Sequence, residues 1–157
     1  MKKTCTFKLS SVEHLLQYND VRGDQTFSCQ LTPEECLDFT NNIEELVSKI
    51  SLNIEADNIV ISPADMWINH YRKGDHNEIH RHDGFEWMAK CNYIGIIILN
   101  TGPDEHLILF DDAGMHSNNV ILNTGDCFIL ENTILHGLDT VKESVTALMF
   151  PVKINAQ

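Results

Sequence analysis

From Asn58 onward the chain is a series of short apolar runs cut apart by turn residues, and that rhythm constrains its fold more than any other feature. Eight runs have strand character: Asn58–Ser62, Met66–Arg72, Glu78–His82, Asn92–Leu99, His106–Phe110, Asn119–Leu122, Asp126–Leu130 and Val145–Phe150. Between them stand Ser62-Pro63, Lys73-Gly74-Asp75, Thr101-Gly102-Pro103, Asp112-Ala113-Gly114 and Thr124-Gly125-Asp126. These are residues that fix φ, permit positive φ or bond their own backbone, which is what tight turns require. So many short strands behind a helical segment match the count of a double-sheet jelly roll. A generic β-sandwich has a similar count, so strands alone do not choose between the two.

The N-terminal third reads differently. Thr32, Pro33 and Glu35 form a helix start: a Thr-x-x-Glu capping box with proline at the first helical position. Cys36, Phe39, Ile43, Leu46, Val47 and Ile50 then recur at three- and four-residue steps, which predicts one helix over about 33–50 with a single apolar stripe. A shorter helix is expected from Ser11 to Tyr18. No repeat, low-complexity tract or linker interrupts the 157 residues. The expectation is one domain over 1–157, with N-terminal helical support to about residue 55 and a jelly-roll core over about 56–152.

Charge narrows the partners. Twenty-three acidic against 11 basic residues give a formal charge of −12, which repels nucleic-acid backbones and anionic membrane surfaces. The longest purely aliphatic stretch, Ile96–Leu99, is far short of the roughly 20 residues a membrane span needs. Lys2 and Lys3 are followed by no apolar segment of signal-peptide type. Cys5, Cys29, Cys36, Cys91 and Cys127 are odd in number and form no C-x-x-C pair, so they read as reduced thiols of a cytoplasmic protein. No nucleic-acid or membrane partner is expected, and the oligomeric state is left open.

Seven of the eight histidines fall in the strand region. His80 and His82 are two apart, and on a strand that spacing points both imidazoles to one face. His136 follows a Gly125-Asp126 turn and a later strand, so it can bring a third imidazole to the same point. Three imidazoles in a facial arrangement leave coordination positions open on a metal ion, and Glu86, four residues after His82, is a candidate fourth ligand. His70, His76, His106 and His116 read as surface residues. Asp111–Gly114 reads as a solvated turn, Trp67 as core and Asn69 as a polar pocket group on the face of Tyr71.

The pattern Gly74-x5-His80-x-His82-x3-Glu86 resembles the first cupin motif, and Gly125–His136 has the spacing of the second, with Glu131 and Thr133 where Pro and Gly are usual. The wider stretch Met66–Gly74, His80-x-His82 and Tyr93–Asn100 resembles the iron(II)/2-oxoglutarate oxygenases, particularly short prolyl-hydroxylase-like versions including phage ones. The resemblance covers about residues 58–150. It implies a mainly β double-stranded β-helix with one or two N-terminal helices. It implies iron(II) on His80, His82 and His136, with His82 where most of these enzymes carry a carboxylate. Tyr71 matches a tyrosine that bonds the 2-oxoglutarate tail in the prolyl-hydroxylase branch, Asn69 lies beside it, and Tyr93 is expected to face the pocket from the next strand.

The activity so implied is hydroxylation of a C–H bond on a small-molecule or peptide substrate, with dioxygen and 2-oxoglutarate. One element is missing. These oxygenases carry an arginine about nine residues after the last histidine, paired with the distal carboxylate of 2-oxoglutarate, and Gly137–Ala147 contains none. Two alternatives therefore stand beside the oxygenase: a metal-dependent cupin enzyme acting on a small acid without 2-oxoglutarate, and a non-catalytic jelly-roll binding protein.

Overall fold

The computed structural model describes residues 2–12, 15, 28–41, 43–62, 65–84 and 90–155. In chain order the elements are β1 (Thr4–Lys8), β2 (Ser28–Gln30), α1 (Pro33–Thr40), α2 (Glu44–Ile54), β3 (Asn58–Ile61), β4 (Trp67–Arg72), β5 (Asn77–His80), β6 (Tyr93–Thr101), β7 (His106–Phe110), β8 (Ser117–Ile121), β9 (Asp126–Glu131), β10 (His136–Leu138) and β11 (Ser144–Asn155). The major sheet runs β1-β9-β6-β11-β4-β2, with β3 pairing the far half of β11; the minor sheet runs β5-β10-β7-β8. The pairs are antiparallel throughout. This is a double-stranded β-helix, mainly β with two N-terminal helices.

Each expected strand is present, within a few residues of its expected ends. The single expected helix is two. α1 starts at the capping box, where Thr32 Oγ1 accepts from Glu35 N–H at 3.2 Å and Glu35 Oε1 accepts from Thr32 N–H at 2.9 Å. It ends at the Asn41 cap, and α2 begins three residues later. The apolar spacing carries across the break because both helices lie on one core, which Phe39, Leu46, Ile50 and Ile54 share with Ile97, Leu148, Phe150 and Val152 of the major sheet. The expected Ser11–Tyr18 helix falls on residues most of which lie outside those described.

Three strands were not foreseen: β1, β2 and β10. Two of them, β1 and β2, come from the segment read as helical support and extend the major sheet at its two edges.

The sheet faces separate two cores. One lies under the helices; the other lies between the sheets and contains Tyr71, Ile96, Ile98, Phe128, Leu138, Val145 and Met149. β6 feeds both by alternation, with Ile94, Ile96 and Ile98 between the sheets and Tyr93, Ile97 and Leu99 toward the helices. Gly95 is required on that second face, since a Cβ there would meet the Phe150 ring at 2.0 Å.

Candidate metal centre

The histidine site forms where β5 and β10 meet at the end of the minor sheet. His80 and His136 are direct register partners across those strands, and the ladder shifts between His136 and Leu138, so that Leu138 pairs with Asn77. Gly137 sits in that irregularity. A Cβ on it would lie 2.8 Å from the Asn77 carbonyl and 2.9 Å from Ile79 Cδ1, so the close approach that brings the two histidines together needs glycine.

His82 lies beyond the end of β5 rather than on it. Its backbone N–H donates to the Asn132 carbonyl at 2.9 Å, and buried Asn132 is held by its own N–H on Asn92 O (3.0 Å) and its side-chain amide on Cys91 O (2.9 Å). The expected two-residue strand alternation is therefore replaced by a backbone anchor that delivers His82 to the same place.

The imidazole centroids are 4.4 Å apart for His80–His136, 5.0 Å for His80–His82 and 5.2 Å for His82–His136. One ligand-capable atom from each lies within 4.8 Å of the others. Two tautomers follow from the hydrogen bonds. Nδ1 of His80 faces the Glu78 carbonyl at 2.7 Å and Nδ1 of His136 faces the Ile134 carbonyl at 3.0 Å. A carbonyl only accepts, so each Nδ1 carries a proton and Nε2 is the nitrogen left to act as a ligand atom. Nε2 of His136 is buried with no hydrogen-bond partner, and that of His82 is likewise buried. A buried Nε2 without a hydrogen-bond partner among other imidazoles, with the far nitrogen fixed by a carbonyl, is an arrangement that could hold a metal ion.

The electrostatics agree. Burial, together with His136 and His80, pushes the His82 imidazole down to about 3. Burial, opposed by the Ile134 carbonyl and reinforced by His80, holds His136 down to about 4. Both rings are neutral at pH 7, the state in which imidazole binds metal. The chemistry of such a set fits a borderline divalent ion such as iron(II), and three protein ligands leave open positions on it.

An inter-sheet cavity opens at His136. It is lined by Tyr71 and Asn77 at its polar end and by Ile96, Ile98, Leu107, Val145, Ala147 and Met149 elsewhere. The Tyr71 hydroxyl accepts from Asn69 Nδ2 and Asn77 Nδ2, each at 3.2 Å. Burial, more than these two bonds, raises its pKa, so the phenol is neutral.

Tyr93 is a correction: it is not in this cavity. It lies in the helix-side core, with its hydroxyl donating to Lys2 O at 2.7 Å, because β6 parity puts it with Ile97 and Leu99. Glu86 lies outside the described residues. The four other strand-region histidines are apart from the cluster; His76 and His116 are exposed, while His70 is half-buried with Nδ1 2.7 Å from Thr146 Oγ1.

Several residues that shape the site carry no motif. Asn77 orients Tyr71, Asn132 anchors His82, and Gly137 permits the strand approach. Glu105, 2% exposed, accepts the backbone N–H groups of Lys142 (2.8 Å) and Glu143 (2.9 Å), fixing the loop between β10 and β11. The available signal was weak: a Gly directly after the last histidine, and two asparagines within a few residues of Tyr71 and His136.

No protein-family model and no curated protein matches the chain. Solved structures do. An oxidoreductase of the 2OG-Fe(II) oxygenase family from Burkholderia pseudomallei aligns over 96% of this chain and 84% of its own at 12% identity, TM-score 0.68. A Pseudomonas putida prolyl-4-hydroxylase aligns over 98% and 94% at 10% identity, TM-score 0.68. A Trichoplax adhaerens prolyl hydroxylase, in complex with a hypoxia inducible factor peptide fragment, aligns over 96% and 83% at 11% identity, TM-score 0.69. The shared property is the fold: this chain has the double-stranded β-helix of those oxygenases.

Proposed function

We propose that the protein is a mononuclear non-haem iron(II) oxygenase that oxidises a C–H bond of a small-molecule or peptide substrate with dioxygen. The carrying observation is the convergence of His80, His82 and His136 within 4.8 Å, with His136 also lining an apolar inter-sheet cavity. Iron, when bound, would supply dioxygen binding and redox chemistry. The chain's own contribution is to present the buried, neutral imidazoles of His82 and His136 beside His80, to line the cavity with Ile96, Ile98 and Met149, and to offer the Tyr71 hydroxyl as a hydrogen-bond donor within it. The substrate class follows the fold neighbours, one of which carries a peptide. The whole chain acts as one unit in this reading, and its reduced thiols suit the cytoplasm; Cys5, Cys36, Cys91 and Cys127 form no disulfide. No helix among the described residues is long and apolar enough to cross a membrane.

2-Oxoglutarate does not fit the described residues. Its distal carboxylate needs a cation, and nine residues beyond His136 stands Val145, 1% exposed and lining the cavity. Arg72, Lys73 and Lys90 are exposed, Arg81 pairs with Asp83 at 3.0 Å, and Lys142 pairs with Asp104. A carboxylate buried there unpaired would be costly by several kcal/mol, on the order of the penalty for any isolated buried charge.

The test is anaerobic iron(II) loading followed by nitric oxide, a spectroscopic stand-in for dioxygen. An S = 3/2 resonance that disappears in His80→Ala is expected. Iron uptake with no such resonance would remove the oxygenase reading, and no iron uptake would leave a jelly-roll binding protein.

A further inference from the structure

The cavity that opens at His136 is built for hydrocarbon. Its lining away from the polar groups includes Ile96, Ile98, Leu107, Leu122, Val145 and Met149. Val145 is the register partner of Tyr71 on the β4–β11 ladder, so an aliphatic side chain stands beside the single phenol hydroxyl. That hydroxyl accepts two amide N–H groups, from Asn69 and Asn77, and keeps its own proton for one further acceptor. The polar side chains of the cavity are thus few and carry no formal charge of the lysine or arginine kind: Tyr71, Asn77 and the His136 imidazole.

The opposite end differs in kind. Three imidazoles bring no negative charge to a divalent ion, so an ion held there retains an attraction for an anionic chelating head group. A facial set of three leaves adjacent positions, which two neighbouring oxygens of one ligand can occupy together.

We infer that this cavity takes an aliphatic 2-oxo monocarboxylate in place of a 2-oxo dicarboxylate, with its two head oxygens at the His80/His82/His136 end and its hydrocarbon tail against Ile96, Ile98, Val145 and Met149. The tail gains burial where a second carboxylate would be stripped of water with no cation among the described residues to meet it. Val145 is the residue that sets this preference, because it occupies the wall beside Tyr71 at the depth of the tail. The inference rests on the metal reading above.

The experiment separates the two. Iron(II) uptake is measured first, without any organic ligand; then 4-methyl-2-oxopentanoate and 2-oxoglutarate are titrated anaerobically against the iron-loaded protein, following the visible charge-transfer band and the heat of binding. The expected result is binding of 4-methyl-2-oxopentanoate at least a hundredfold tighter than 2-oxoglutarate, and a narrowed or reversed ratio in Val145→Arg. Equal or tighter binding of 2-oxoglutarate by the wild type overturns the inference, as does iron-loaded protein that binds neither acid. The wild-type comparison decides the matter by itself if Val145→Arg does not fold. Failure of iron uptake is read at the first step, and it overturns the metal reading and this inference with it.

Discussion

The metal-free fold should be acid-sensitive in a window where carboxylates are still ionised. His82 and His136 are held down to about 3 and about 4 in the folded protein, chiefly by burial, against about 6.5 for an unperturbed histidine. As pH falls below about 6.5 the unfolded chain therefore takes up protons that the folded chain refuses. The stabilisation these two groups give is complete above about 6.5 and is lost as pH falls toward their folded values. Each contributes a slope of about 1.4 kcal/mol per pH unit within the window. Between pH 7.5 and pH 5 that amounts to about 2 kcal/mol each and about 4 kcal/mol together, a large share of the 5–15 kcal/mol typical of a domain.

His70, also lowered by burial and by Arg72, adds in the same direction. The assay is urea unfolding of chelator-treated protein at half-unit pH steps from 7.5 to 5, compared with His136→Gln, which should flatten the curve. Saturating iron(II) should raise stability by a similar increment across this range, because His82 and His136 hold no proton in the folded state for the ion to displace. A metal-free stability that stays level within about 1 kcal/mol over this range would refute the claim that these imidazoles are buried neutral.

Two further outcomes test the framework around the histidines. Gly137→Ala places a methyl 2.8 Å from the Asn77 carbonyl, so β5 and β10 must separate; iron affinity should fall at least tenfold by calorimetry, and wild-type affinity would show that the glycine is not needed for the approach. Glu105→Gln offers one acceptor oxygen where the carboxylate supplies two, leaving Lys142 N–H or Glu143 N–H unmet; a loss of about 1–3 kcal/mol is expected in urea unfolding, and a neutral result would remove Glu105 as the anchor of that loop.

Much of this molecule was legible in its residue order, for reasons that can be named. The capping box at Thr32 and Glu35 is a local device, and it works as read. The strands from β3 to β9, and β11, are long enough to display alternation or an unbroken apolar run between turn residues. β2 and β10 are three residues each, too short to show a period, and β1 depends on pairing with β9 more than a hundred residues away. Tyr93 was misplaced because β6 is apolar on both faces: a run buried on both sides carries no mark of which parity faces which core. The break between α1 and α2 was hidden by an apolar stripe that continues across it.

The three histidines were legible as a group because their types and spacing suffice. Their geometry was not. His82 reaches the cluster through a backbone bond to Asn132, fifty residues away in sequence, and His136 through a ladder shift at Gly137. The absence of an arginine over Gly137–Ala147 was visible in the sequence; that Val145 stands beside Tyr71 in the cavity lining required the β4–β11 register.

The most direct test of the account is the iron content of the anaerobically reconstituted chain, measured beside His80→Ala and His136→Ala proteins whose folding is checked by circular dichroism. The account predicts one iron(II) per wild-type chain and none retained by either folded variant. A wild-type chain that takes up no iron, or variants that retain it at the wild-type level, would contradict the assignment of the three imidazoles as a metal centre.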